Sequence, residues 1–263
     1  MCGIVGYIGP KEATPLLIEG LKRLEYRGYD SAGVAVFDGE SLETRRAAGK
    51  IAKLEGALAA DPVTGKVGIA HTRWATHGPP TEKNAHPHLS SDDSVAVVHN
   101  GIIENSNVLR TQLTALGHTF RSDTDTEVLS HLIQELYEGS LEEAVIGALR
   151  KVEGTFGIAV VSSRDPQKIV AARKGSPLLI GVGDGEYFLA SDASAILAHT
   201  REVVCLDDGD LAVLTPDGYR IMDSNNTPLR RSVERIEWNL AAIERGGYEH
   251  FMLKEIFEQP ETV

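Results

Sequence analysis

The chain is short of cysteine: Cys2 and Cys205 are the two in 263 residues. That is too few for a disulfide framework or a cysteine-built zinc site. It is also short of positive charge, with 26 Lys and Arg against 38 Asp and Glu and a formal net charge of -12. A surface of that sign repels nucleic acid and anionic lipid, which recruit clustered cations. The basic pairs Arg45-Arg46 and Arg230-Arg231 stand isolated, so neither a nucleic-acid nor a membrane partner is expected. No uncharged apolar stretch reaches the roughly 20 residues that a bilayer-spanning helix needs. The first residues hold neither a basic n-region nor a long apolar segment, so a secretory leader is not expected and the reading is a soluble, cytoplasmic protein. Internal repeats and low-complexity tracts are lacking too. With 42% hydrophobic residues, the length suits one large domain, or one plus a fragment.

What is abundant is short runs of Val and Ile. CGIVGYI at 2–8, AGVAVF at 32–37, VGIAHT at 67–72, SVAVVH at 94–99 and FGIAVVS at 156–162 all read as strands. KIVAAR at 168–173, PLLIGV at 177–182, EYFLAS at 186–191 and DLAVLT at 210–215 continue the series. Most are bounded by Gly, Asp-Gly or Asp-Asp turn signals. Beyond residue 155 the spacing leaves no room for crossover helices, which favours antiparallel pairing.

Helical patterns lie between some of the runs. Thr14-Pro15 predicts a cap and first helical position, Leu17, Leu21 and Leu24 follow on one face, and Gly28 closes the segment. A second helix is predicted from Thr124 with Glu127 completing a capping box, ending at Gly139. Ser140 and Glu143 predict a third, to about Val152, paired with the second as a hairpin. Runs such as VAVV alternate weakly and so need cover on both faces. Two antiparallel sheets packed together, each with helices outside, meet that demand: an α+β, four-layer αββα sandwich. From about residue 222 the texture turns polar, and YEHFMLKEIFEQPETV reads as an amphipathic linker cut short.

Cys2 poses the first chemical question. It is either a small hydrophobe at a strand start or, once the initiator is trimmed, an N-terminal residue carrying both a thiol and a free α-amine. An α-amine with a pKa of roughly 7.7–8.0 can take the thiol proton as an internal base. Position alone leaves both readings open. Four further segments put polar groups at strand ends or helix starts: LEYRGYDSAG at 24–33, HTRWATHG at 71–78, HNGIIEN at 99–105 and SDTDTE at 122–127. Asp125 is in the same position, since an acid in a helix's first turn complements the dipole as readily as it binds a ligand.

Taken with CGIVGYIG and NAHPH, in this order and spacing, those segments resemble the glutaminase domain of the glucosamine-6-phosphate synthase family. That family falls within the N-terminal-nucleophile (Ntn-hydrolase fold) glutamine amidotransferases. The likeness runs from residue 2 to KEIFEQP.

The resemblance implies that Cys2 attacks the glutamine carboxamide, with Asn100 and Gly101 forming the oxyanion hole. It implies that Arg73 pairs with the substrate α-carboxylate and Asp125 with its α-ammonium. It also implies that Trp74, Thr76 and His77 lie in a loop that closes over glutamine, and that Arg27 shapes the nucleophile's surroundings. No metal or cofactor is implied: His86 and His88, two residues apart, are weak as ligands without a third. His71 and His99 are expected to be structural, and Cys205 to be a buried strand position.

The domain is expected over residues 2–236, with 237–263 a linker into an absent sugar-isomerase domain that binds fructose 6-phosphate. The partners implied are L-glutamine and L-glutamate, and a homodimer in the full-length enzyme. Phosphoribosylpyrophosphate-type amidotransferases share the nucleophile and oxyanion segments but fit LEYRGYDSAG and HTRWATHG less well, and asparagine synthetase is more distant. A glutamine-binding sensor without turnover would not need Cys2, Asn100 and Gly101 together.

Overall fold

The computed structural model describes residues 2–237, residue 248 and residues 251–262. In chain order the strands are β1 (Gly3–Ile8), β2 (Ser31–Phe37), β3 (Leu42–Ala48), β4 (Val67–Arg73), β5 (His88–Leu89), β6 (Val95–Ile103), β7 (Gly154–Ser162) and β8 (Ile169–Lys174). They continue with β9 (Leu179–Val182), β10 (Tyr187–Ala190), β11 (Glu202–Cys205), β12 (Leu211–Thr215), β13 (Gly218–Met222), β14 (Pro228–Leu229) and β15 (Glu234–Arg235). The helices are α1 (Ala13–Leu24), α2 (Ile51–Ala60), α3 (Ser106–Ala115), α4 (Glu127–Glu135), α5 (Leu141–Leu149) and α6 (Phe251–Thr262).

Among the described residues the strands form two antiparallel sheets. One runs β15-β11-β9-β10-β1-β4-β2-β3 and the other β14-β13-β12-β8-β7-β6-β5. Three separate apolar clusters account for the layering. On β1, Val5 and Tyr7 point outward, and with Val34 and Val36 they pack against Leu17, Leu21 and Leu24 of α1 and Ile51 and Leu54 of α2. Ile4 and Ile8, on the opposite face, meet Ala96, Val98, Ala159 and Ile169 of the second sheet. Val95, Val97, Ile158 and Val160 face Leu113 of α3, Val128 and Leu132 of α4 and Val145 of α5. This is the two-residue alternation of a strand with both faces covered. The four-layer αββα sandwich follows from it.

The chain does not run as two simple meanders. After the β7–β8 hairpin it switches sheet for β9, β10 and β11, then returns for β12 and β13. Short turns between strands suit a sandwich crossing as well as a hairpin, so spacing alone does not distinguish them.

Several helix ends differ from expectation. α1 begins at Ala13, and the Thr14 hydroxyl donates to Val63 O at 2.6 Å instead of capping. The α-helix ends at Leu24, and a 3-10 turn carries the chain to Gly28. The predicted capping box at Thr124 does not form. α4 starts at Glu127, whose carboxylate instead takes the N–H groups of Arg121 and Ser122, each at 2.7 Å, and the Ser122 hydroxyl at 2.6 Å. A loop with two unpaired N–H groups outcompetes the helix's own N-terminus for that acid. At α5 the expected cap is present, with Glu143 N donating to Ser140 Oγ at 3.3 Å, though the helix stops at Leu149. Cys205 is exposed. The two valines before it are buried on opposite faces, and the cysteine sits where the strand leaves for the Asp207-Asp208 loop.

Candidate active site

β1 lies between β4 and β10 and runs antiparallel to β4, with Gly3 opposite Thr72. The start of β1 therefore meets the end of β4, and Cys2 lies beside the chain leaving Arg73. The Cys2 sulfur accepts the Trp74 N–H at 3.3 Å, and its thiol donates to Trp74 O at 3.5 Å. Burial raises the thiol pKa above its ordinary value. The Trp74 N–H bond and the Arg73 charge pull it back in part, and Asp30 adds to the rise. The sulfur is thus a protonated thiol near neutrality.

The second sheet supplies Asn100 and Gly101 from β6. Asn100 Nδ2 donates to the Cys2 carbonyl at 3.3 Å, and Asn100 Oδ1 lies 3.0 Å from His71 Nε2. Gly101 sits at φ +136, where a Cβ would meet Thr155 O at 2.1 Å. Only glycine fits that strand position, and this turns the backbone locally out of regular pleat.

Arg73 is buried, with 4% of its surface exposed. Its guanidinium donates to the carbonyls of His77 and Gly78, the latter at 3.3 Å, and to Pro79 at 3.5 Å. Burial lowers its pKa, while Cys2, Asp125 and Asp30 pull in the opposite direction, so all three lie within its electrostatic reach. Asp125 is buried too and accepts the Ile103 N–H at 2.8 Å through Oδ2. Trp74, Thr76 and His77 are exposed. Trp74 rests edge-on against Tyr29, with ring centroids 5.8 Å apart.

The YRGYDSAG segment braces this loop. Asp30 Oδ2 accepts the Ala75 N–H at 2.9 Å, and the Thr72 hydroxyl donates to Gly28 O at 2.5 Å. A Cβ at Gly28 would come within 2.8 Å of the Arg73 carbonyl carbon, so the two segments approach as closely as backbones can. Arg27 donates to Asp192 Oδ2 at 2.7 Å. Asp192 follows Ser191, whose hydroxyl takes the Ile4 N–H at 2.9 Å. Arg27 thereby ties its loop to the turn that holds the start of β1.

The NAHPH histidines are buried packing groups. The His86 ring packs against His71 in a tilted pair, 4.3 Å between centroids, and His88 Nε2 bonds the Thr124 hydroxyl at 2.9 Å. His99 lies between Thr126 Oγ1 at 2.9 Å and Thr155 O at 3.3 Å. Three site contacts are not legible in the sequence: His71 to Asn100, Asp30 to Ala75, and Asp192 to Arg27. Each joins segments far apart in the chain. Met1 lies outside the described residues, as does most of the stretch between Trp238 and His250.

A family model described as a glutamine amidotransferase domain matches residues 55–238. The glutamine–fructose-6-phosphate aminotransferase (isomerizing) of Clostridium tetani is 52% identical over 263 residues, 100% of this chain and 43% of the relative. The enzyme of the same name from Chlorobaculum tepidum is 54% identical, over 100% of this chain and 44% of its own length. The chain thus spans less than half the length of these relatives. Among solved structures, the glutamine phosphoribosylpyrophosphate amidotransferase of B. subtilis superposes with a TM-score of 0.73 at 28% identity, covering 85% of this chain and 49% of its own.

Proposed function

This chain belongs to the glutamine amidotransferase family, and from that premise we propose that it hydrolyses the glutamine side-chain amide through Cys2, releasing glutamate and ammonia. Once the initiator is removed, the Cys2 α-amine accepts the thiol proton. The sulfur attacks the carboxamide carbon; a C–S bond forms and the carbonyl π pair moves to oxygen. Asn100 Nδ2–H and Gly101 N–H receive that oxyanion, where one lost donor typically costs about 3–4 kcal/mol of barrier. Collapse breaks the C–N bond, the leaving nitrogen takes the proton from the α-ammonium, and ammonia departs. Water, deprotonated by the same amine, cleaves the thioester to glutamate and restores the thiol.

Arg73 holds the substrate α-carboxylate with its guanidinium fork, and Asp125 holds the α-ammonium. Trp74, Thr76 and His77 belong to the loop that covers the substrate, and Arg27 supports the nucleophile's strand through Asp192. The observation that carries this reading is the Asn100 Nδ2 bond to the Cys2 carbonyl at 3.3 Å. It sets the amide donor against the residue that bears the sulfur, so little motion brings it to an oxygen bound there.

The identities of 52% and 54% to glutamine–fructose-6-phosphate aminotransferases, against 28% to the phosphoribosylpyrophosphate enzyme, support the sugar-phosphate branch. In that reading the ammonia converts fructose 6-phosphate to glucosamine 6-phosphate on a sugar-isomerase domain beyond this chain, in a cytoplasmic homodimer. No described helix is long and apolar enough to cross a membrane. The glutaminase unit is residues 2–236, supported by Ile236 N donating to Arg201 O at 2.9 Å where the last strand closes. Residues 237–263 lead on toward the second domain.

The test is labelling by a glutamine-like electrophile followed by peptide mapping. A label on Cys2 that glutamine blocks is the expected result. A label on the exposed Cys205, or on neither cysteine, overturns the proposal.

A further inference from the structure

His71 and Asn100 sit on different sheets, on β4 and β6, and their side chains meet across the sandwich at 3.0 Å. The chemistry of the contact fixes every hydrogen in it. The Cys2 carbonyl can only accept, so the Asn100 nitrogen must be the end that faces it, at 3.3 Å. The amide oxygen then faces His71, and because that oxygen can only accept, His71 Nε2 must carry the proton. The His71 ring is fully buried, and burial pushes its pKa down to about 3 against a smaller pull upward from Asn100. The ring is therefore neutral at physiological pH and keeps a single proton, the one this bond uses. Its orientation is held by the His86 ring packed on it at 4.3 Å.

We propose that His71 is a positioning residue, whose Nε2–H fixes the flip state of the Asn100 amide so that Nδ2, and not Oδ1, faces the oxyanion. The inference rests on the roles of Cys2 and Asn100 proposed above. An asparagine amide has two nearly isosteric ends and a broad, roughly two-fold terminal torsion. Turned around, it presents an oxygen to a developing negative charge. His71 sets which end arrives, without touching the substrate. It matters for the oxyanion and not for the ground-state amide, so its loss is a loss in kcat rather than in KM.

The experiment measures glutamate release by the protein with His71 intact, with His71→Leu and with His71→Gln, whose amide N–H reaches about as far as Nε2. His71→Leu is expected to lower kcat at least about tenfold, with the roughly 10²–10³-fold loss of an oxyanion-hole donor as its upper bound. KM stays within about twofold, and His71→Gln restores most of kcat. Alkylation of Cys2 by iodoacetamide, a displacement that builds no oxyanion, proceeds at the unaltered rate in all three. In an Asn100→Ala background, His71→Leu has no further effect on kcat. Should the leucine variant fail to fold, His71→Asn, which keeps polarity but is too short to reach Asn100, carries the same expectation.

An active parent with kcat unchanged in the leucine or asparagine variant overturns the inference alone. So does a loss in which kcat, KM and alkylation fall together, since that marks a role in the fold. A parent protein that never hydrolyses glutamine overturns the proposed function, and this inference with it.

Discussion

The Cys2 sulfur is held by the backbone of Trp74 from both sides, accepting its N–H at 3.3 Å and donating to its carbonyl at 3.5 Å. The residue that begins the exposed loop is thus also the one that holds the thiol. Loop and sulfur are coupled through a pair of weak hydrogen bonds. The same loop is fastened on its far side by Asp30 to the Ala75 N–H at 2.9 Å. Arg73 meanwhile holds the carbonyls of His77, Gly78 and Pro79, so under the proposed function the substrate carboxylate competes with the loop for that fork.

Gly101→Ala tests the backbone geometry of the second sheet. The φ of +136 is strained for any L side chain, and the added Cβ would lie 2.1 Å from Thr155 O. Backbone strain and overpacking together predict a loss of about 2–4 kcal/mol in unfolding free energy, measured by denaturant titration. Wild-type stability in this variant would contradict the description of β6.

How much of this was legible beforehand follows from the kind of signal each feature leaves. Cys2, Asn100, Gly101, Arg73 and Asp125 stand in contiguous motifs, and the structure brings their segments together at one end of the sandwich. Nine Val- and Ile-rich strands announced themselves by composition. β3, LETRRAA, did not, because it is the outermost strand of its sheet and carries four charged or hydroxyl side chains. α2, IAKLEGALAA, was missed as well. It has no side-chain cap on its preceding residue, and its first N–H is taken by Glu25, 26 residues upstream, at 2.9 Å. The pairing of β1 with β10 and the His71–Asn100 contact leave no local trace, since both arise from which strands the sandwich places side by side.

Acid is expected to destabilise the fold through its buried histidines. Burial pushes His71 down to about 3 and also lowers His86 and His88. In the unfolded chain each titrates near roughly 6.5. Between those values the unfolded state binds more protons, so stability is complete above about pH 6.5 and is withdrawn as pH falls toward 3. The slope reaches roughly 1.4 kcal/mol per pH unit for each such histidine. Unfolding free energies at about pH 7.5 and pH 5 are predicted to differ by up to about 2 kcal/mol for His71 alone. Equal stability at the two pH values would contradict the buried, neutral assignment.

The central claim is that Cys2 is its own base, and the most direct measurement compares glutamate release by two forms of the protein verified by intact mass. One form begins at Cys2, and the other keeps an acyl group, methionine or acetyl, on its nitrogen. The account predicts that the trimmed form turns over and the acylated form does not. Equal rates from the two would contradict it.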